Sequence, residues 1–430
     1  MTIFFVMMGV LLVLMSVGFP VALSMGLTSV VTLGALRGFT EIPWDILAQR
    51  FMYGVTNFTL LAIPFFILAG RLCNEAQITD RIFEFAKTMV GHFKGGLGHV
   101  NILGSMIFAG MSGSAVADAG GLGNMEIKAM VDEGYDLAFS TAVTAASATI
   151  GPIIPPSIPM VIYGAMAGES IAKLLIAGFF PGILMGLMMM VLLVAMAPFY
   201  GWQAKRRASV TQIFATAKRG FLPLMAPVIL IGGIVTGVFT PTEAAAIAVC
   251  YALFMGMVYR TLTWRKLLRV LKDSMLDTSI ILFIVGASSM YSWVIARYQV
   301  TDAIVEWMGS TVSSPLVFML YVNIFLLIVG CFIDATPALF VLTPVFMPIV
   351  KQFGIDPIHF GVIMVFNLMI GLVTPPVGTV LYTLMRVTGL SLERISIAMI
   401  PWYVPLAVTL VIIVLFPGLS TWLPIAILGR

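Results

Sequence analysis

Four short stretches of this chain bring glycine, proline and hydroxyl or carboxyl side chains together: "GMSGSAVADAGGLG" (110–123), "GPIIPPS" (151–157), "CFIDATPA" (331–338) and "GLVTPPVG" (371–378). Proline removes a backbone donor and clashes with the preceding turn, and glycine unwinds a helix readily. A helix broken there frees carbonyls on one side, which suit a hard cation such as Na⁺. On the other side it presents amide donors and a positive dipole end, which suit an anion. Ser112, Ser114, Thr336 and Thr374 add neutral oxygens, while Asp118 and Asp334 add charge. Ser112 and Ser157, on the facing breaks of the first pair, are placed to hold a carboxylate. For any one break taken alone, small residues that allow close packing, or a plain proline kink, are the better explanation. Four breaks in two matching pairs favour binding.

The breaks lie in a chain of 430 residues that is 60% hydrophobic and 10% charged, with a mean hydropathy of +1.08. Soluble domains carry roughly 25% charged residues, so this is an integral membrane protein without room for a large water-soluble domain. Apolar runs long enough to span occur at 3–36, 51–72, 171–199, 221–259, 273–293 and 396–417. Irregular backbone survives at membrane depth only inside protein or against water, so the four breaks must meet in the bundle interior. The first basic residue is Arg37; the N-terminal apolar run is therefore expected to remain as structure. Cys73, Cys250 and Cys331 show no paired spacing and read as core residues. The net charge of +4 sits in loops and reads as a topology signal, not as nucleic-acid contacts.

The sequence repeats internally. "AQITDRIFEF" (76–85) matches "YQVTDAIVEW" (298–307), with Gln77/Gln299, Thr79/Thr301, Asp80/Asp302 and Glu84/Glu306 each 222 apart. "VNI" recurs at 100–102 and 322–324 at the same spacing. "IGPIIPPS" (150–157) matches "IGLVTPPV" (370–377), and Pro181 matches Pro401, both 220 apart. A duplicated unit of about 200 residues follows. The expected fold is an all-α polytopic membrane protein of two inverted-topology repeats, each with a re-entrant helical hairpin and a broken transmembrane helix. Repeat 1 covers 1–200, with scaffold helices in 1–72, a hairpin at about 99–120 and a broken helix at about 139–168. Residues 201–220 form a cytoplasmic linker. Repeat 2 covers 221–430, with scaffold helices in 221–293, a hairpin at about 322–345 and a broken helix at about 360–386. Five crossings per unit, an odd number, force the inversion. The basic loops agree: 205–219 and 260–272 fall on one side with Arg71, Arg81, Lys87 and Lys94, and both termini fall outside.

Other polar residues carry less. Glu243 after "FTPT" reads as a helix cap, and Asp277 as an intramembrane acid of open role. Residues 123–136 read as a surface connection. His92, His99 and His359 sit at segment edges and form no proton relay, and no G-x-x-x-x-G-K-[ST] motif is present. Sodium fits as the coupling ion better than protons or bound ATP.

"GMSGSAVADAGGLG", "IGPIIPPSIPMVIYGAMAGES", "GVFTPTEAAAIAV", "NLMIGLVTPPVGTVLY" and "LFPGLSTWLP" resemble the large membrane subunit, the M or DctM type, of tripartite ATP-independent periplasmic (TRAP) transporters. The resemblance runs nearly end to end. It implies a non-enzymatic, sodium-coupled elevator importer of organic anions such as sialic acid or C4-dicarboxylates. Its expected setting is the bacterial inner membrane, with both termini periplasmic. It also implies a small four-helix Q-type membrane subunit and a periplasmic substrate-binding protein as partners. Carried onto this chain, sodium site 1 comprises Ser112, Gly113, Ser114, Gly151 and Pro155. Site 2 comprises Asp334, Ala335, Thr336, Gly371, Thr374 and Gly378. Substrate is expected at Ser112, Ser157 and Asp118. Two rivals are a stand-alone divalent-anion/sodium symporter and, remotely, an intramembrane serine protease using Ser112, for which His99 or His359 would have to supply the base.

Overall fold

A computed structural model describes residues 2–76, 78–299 and 314–429. Its regular elements are all helical, and no strand occurs among the described residues. Seven helices there are long and apolar enough to cross a membrane. The count is eight if Val210–Arg219 and Phe221–Val235, bent by 69°, form one span. The chain is thus a multi-pass helical membrane protein, as its composition requires.

Several local boundaries differ from the sequence reading. The run 3–36 does divide into two helices, Thr2–Ser16 and Val21–Arg37, around a turn with Gly18 at φ 96°. The run 51–72 divides too: Trp44–Val55 ends before Asn57, whose side chain accepts the Thr59 amide at 3.0 Å, and Ala62–Glu75 resumes the span. Short polar side chains of this kind bind nearby backbone and stop helices. The supposed basic loop 260–272 is helical from Trp264 onward, within the 34-residue helix Trp264–Arg297. Thr263 caps that helix through the Lys266 amide, a start signal hidden inside the charge run. The linker 201–220 likewise contains the helix Val210–Arg219, opened by a capping box of Ser209 and Gln212.

The first hairpin is Gly96–Ser112 and Ala115–Asp132, and the first broken helix is Leu137–Ala148 and Ile158–Ala167. The second hairpin is Pro315–Phe332 and Ala335–Gln352, and the second broken helix is Pro357–Gly371 and Thr379–Thr388. Ala115 and Ala335 open the second arms, and Leu137 and Pro357 open the broken helices; both pairs are 220 residues apart. The first hairpin therefore runs past 120. Residues 123–132, read as surface connection, are helix, because Leu122, Glu126, Ile127 and Met130 share one buried face. Of the repeat match at 76–85 and 298–307, Gln77, Thr301, Asp302 and Glu306 lie outside the described residues.

Polar pairs set the register inside each repeat. The Ser147 hydroxyl donates to Asn101 Oδ1 at 2.6 Å, and Asn367 Nδ2 donates to Asn323 Oδ1 at 2.8 Å. Asn101 and Asn323 are the asparagines of the two "VNI" motifs. A buried amide without a partner is costly, so these bonds hold hairpin and broken helix at one height. The repeats also interlock. Ala115–Asp132 packs on Thr379–Thr388 of the other half, and Ala335–Gln352 packs on Ile158–Ala167. Outside this paired core, Ala62–Glu75 packs against Pro241–Val258 and Trp264–Arg297, and Val21–Arg37 and Trp44–Val55 lean on Trp264–Arg297.

Candidate functional site

Both hairpin tips and both broken helices meet, as membrane depth demands, at a single cavity of about 740 Å³. Ser112 to Ala117 line it from the first tip, and Asp334 to Pro337 from the second. Pro152, Ile158 and Pro159 reach it from the first break, and Met369, Leu372 and Thr383 from the second broken helix. Helices Ala62–Glu75 and Trp264–Arg297 form the facing wall, contributing Arg71, Asn74 and Asp277.

The local sequence explains each tip. Gly113 takes φ 60°, a left-handed turn that ends the first arm. Ser114 then caps the second arm by accepting the Ala117 amide at 3.4 Å. The tip rests on the first break, where the Ile158 amide donates to the Gly113 carbonyl at 3.4 Å. A side chain on Gly113 would come within 2.7 Å of the Pro156 carbonyl, and one on Gly151 within 3.5 Å of the Ser114 carbonyl. The tip residues Gly113 and Ser114 thus meet the first break at Gly151, Pro156 and Ile158. The Ser112 hydroxyl is buried with no hydrogen-bond partner among the described residues, which fits a ligand oxygen for a small cation.

At the second tip Asp334 is the cap. Its Oδ1 accepts the Thr336 amide at 3.2 Å and its Oδ2 accepts the Thr379 hydroxyl at 3.0 Å, tying tip to broken helix. Gly371 lies against Gly330, and Gly378 sits within about 3.1 Å of the Leu372 and Thr374 carbonyls, measured from where a side chain would start. Ala335 and Thr336 follow Asp334 on the cavity wall. Thr374 turns its hydroxyl to the Ile370 carbonyl at 2.7 Å, and its neighbours Pro375, Pro376 and Val377 are exposed. Gly371, Thr374 and Gly378 adjoin this tip without lining the cavity.

Two expected substrate residues lie elsewhere. Ser157 is fully buried; its hydroxyl accepts the Met160 amide at 3.2 Å and donates to the Pro152 carbonyl. It caps the later half of the broken helix and does not line the cavity. Asp118 is buried in the hairpin, its Oδ2 without a partner among the described residues, also off the cavity wall. Arg71, expected to be a topology signal, faces the cavity instead: its Nη2 and Nε bond Asp277 Oδ2 at 2.5 and 3.1 Å. Glu126, read as part of a surface connection, is buried, with neither carboxylate oxygen partnered among the described residues. The visible signal for Arg71 was a cation ending an apolar run, matched by an acid, Asp277, inside another. Glu243 does cap its helix, in a capping box with Thr240. His99 and His359 stand in the first turns of their helices, at segment edges as read, and both are buried; His359 Nδ1 bonds Ser420 at 2.7 Å. His99 shares a helix with Ser112, 13 residues earlier, roughly 20 Å along the axis at 1.5 Å per residue. It cannot serve Ser112 as a base.

Paired helix breaks around one internal cavity, in a multi-pass helical chain, define a membrane permease. A family model described as "Tripartite ATP-independent periplasmic transporter, DctM component" matches residues 8–419, and the chain belongs to that family. It is 43% identical over 417 residues to the sialic acid TRAP transporter large permease protein SiaM of Vibrio cholerae, covering 97% of each chain. It is 40% identical over 369 residues to the C4-dicarboxylate TRAP transporter large permease protein DctM of Pseudomonas aeruginosa, covering 86% of each. Among solved structures, the YdaH transporter of Alcanivorax borkumensis shares the fold with a TM-score of 0.67 at 14% identity, covering 94% of this chain and 98% of that one. These relatives are permease proteins and not enzymes.

Proposed function

We propose that this chain is the permease of a sodium-coupled, binding-protein-dependent importer of an organic anion in a bacterial inner membrane, with both termini periplasmic. The observation that carries the reading is the single cavity shared by all four breaks and walled by a separate pair of helices. Sodium is held at the first tip by Ser112 and by backbone oxygens of Gly113, Ser114, Gly151 and Pro155. A second sodium is held at Asp334, Ala335 and Thr336 with Gly371, Thr374 and Gly378. The anion binds between them at Ser112, where amide donors and bound cations offset its charge. Asp118 and Ser157 serve it from behind the wall, by shaping the tip and the broken helix. The paired hairpins and broken helices move as one body, in inverted repeats, against Ala62–Glu75 and Trp264–Arg297. A small membrane subunit braces that scaffold and a periplasmic protein delivers substrate. Sialic acid and C4-dicarboxylates, the substrates in the relatives' names, are the expected class.

The deciding experiment is reconstitution of the chain with its small subunit in liposomes. Uptake of labelled sialic acid or C4-dicarboxylate is expected only with an inward sodium gradient and the binding protein present. Equal uptake without the binding protein would instead establish a stand-alone symporter, and uptake indifferent to sodium would remove the coupling ion.

A further inference from the structure

We propose that Arg71 binds the substrate carboxylate, and that Asp277 is a built-in competitor that occupies Arg71 until an organic anion displaces it. This rests on the organic-anion reading above. Arg71 is the one cation among the described residues lining the cavity, whose acids are Asp277 and Asp334. Its Nη2 and Nε both bond a single oxygen of Asp277, Oδ2, and Asp273 lies 3.6 Å from Nη1. A guanidinium presents five donors in a rigid fork that matches two carboxylate oxygens side by side. Here the fork is used on one oxygen only, so an incoming carboxylate makes the better match.

The pair is also open to exchange. Arg71 and Asp277 keep 37% and 43% of their side-chain surface exposed, and ion pairs so hydrated are held weakly. Once displaced, Asp277 remains solvated and needs no new partner. The position suits a ligand at the first tip. Gly70 packs on the Ser112 backbone, where an added side chain would stand 3.2 Å from the Ser112 carbonyl. Asn74, one turn on, reaches the Ala117 carbonyl at 3.4 Å, and its own Oδ1 is buried with no partner among the described residues. Charge then orders the events. With Asp277 on Arg71, the wall shows an arriving anion only the negative Asp334. A sodium ion at the second tip cancels that charge, and the carboxylate then takes Arg71.

The test uses the full chain with its small subunit in liposomes, a sodium gradient and saturating binding protein, with N-acetylneuraminate and succinate as separate probes. Arg71→Gln is expected to raise the apparent KM about tenfold with assembly and Tm kept, and Asp277→Asn to lower it about threefold. Arg71→Lys keeps the charge but loses the fork; it is expected to raise KM less than the glutamine, and it serves where Arg71→Gln does not assemble. If the pair merely braces two helices, Arg71→Gln and Asp277→Asn move together, both lowering Tm and kcat with KM unchanged, and the proposal is overturned while the transport reading stands. A wild-type complex that imports neither anion overturns the organic-anion reading and this assignment with it.

Discussion

At the first hairpin tip the chain turns through Gly113 at φ 60° and starts its second arm on Ser114; at the second tip it passes through Ile333 at φ −123° and starts on Asp334. These are equivalent positions of the repeat, 220 residues apart. The arms leading to them differ as well, with 14 of 17 residues buried in Gly96–Ser112 and 6 of 18 in Pro315–Phe332. The break opposite the first tip is buried throughout 151–157, whereas Pro375 to Val377 are exposed. The two tips thus share a spacing and differ in their properties. One tip is neutral and enclosed, and the other is more exposed and carries a carboxylate.

The largest expected effect tests the matching glycines of the two breaks, Gly151 and Gly371, 220 residues apart. Gly371→Ala would place a methyl 2.6 Å from the Gly330 backbone, whereas Gly151→Ala meets its nearest atom at 3.2 Å. Backbone on backbone cannot yield, so Gly371→Ala should cost about 3 kcal/mol and Gly151→Ala about 1 kcal/mol or less. Thermal unfolding of the purified complex reads the difference, and equal losses would erase this part of the contrast. Next comes the turn. Gly113→Ala should cost about 1–3 kcal/mol, from the left-handed backbone and the close Pro156 carbonyl, while Ile333→Ala should leave uptake near wild type. Equal loss of uptake in both would show that the two turns bear the same load. Third, Asp334→Asn should raise the half-saturating sodium concentration about tenfold, since a formal charge near a cation is worth at least about 1.4 kcal/mol. Ser114→Ala should shift it less. A larger shift for serine would reverse the assignment of the charged site. The smallest effect is Ser157→Ala, which removes a cap worth about 1 kcal/mol and is expected to lower Tm and uptake modestly. Unchanged uptake would leave Ser157 with no part in the site.

Much of this architecture was readable from residues. The four breaks, their pairing and the matched asparagines were visible because proline and glycine act on their own turn, and a repeat shows as identity at a constant spacing. The cap at Glu243 was readable for the same reason. The helical start at Trp264 and the extension of the first hairpin to Asp132 were not, because charges on a helix face resemble a loop when only composition is read. Ser157 was read as a ligand because its spacing places it on a break. Only the fold turns its hydroxyl inward to Pro152 and Met160. Arg71 was read as a loop charge because the acid that meets it lies about 200 residues away on another helix.

By itself the sequence determined that the chain lives in a bilayer, that motifs recur 220 to 222 residues apart, and that helices must break at four glycine- and proline-rich stretches. These follow from transfer energies and local backbone sterics, which need no knowledge of neighbours. The tertiary structure alone decided which hairpin arm crosses to the other repeat, which oxygens face the cavity and which serve as caps, and that Arg71 meets Asp277 there. Those outcomes depend on contacts between residues far apart in the chain, and no local rule encodes them.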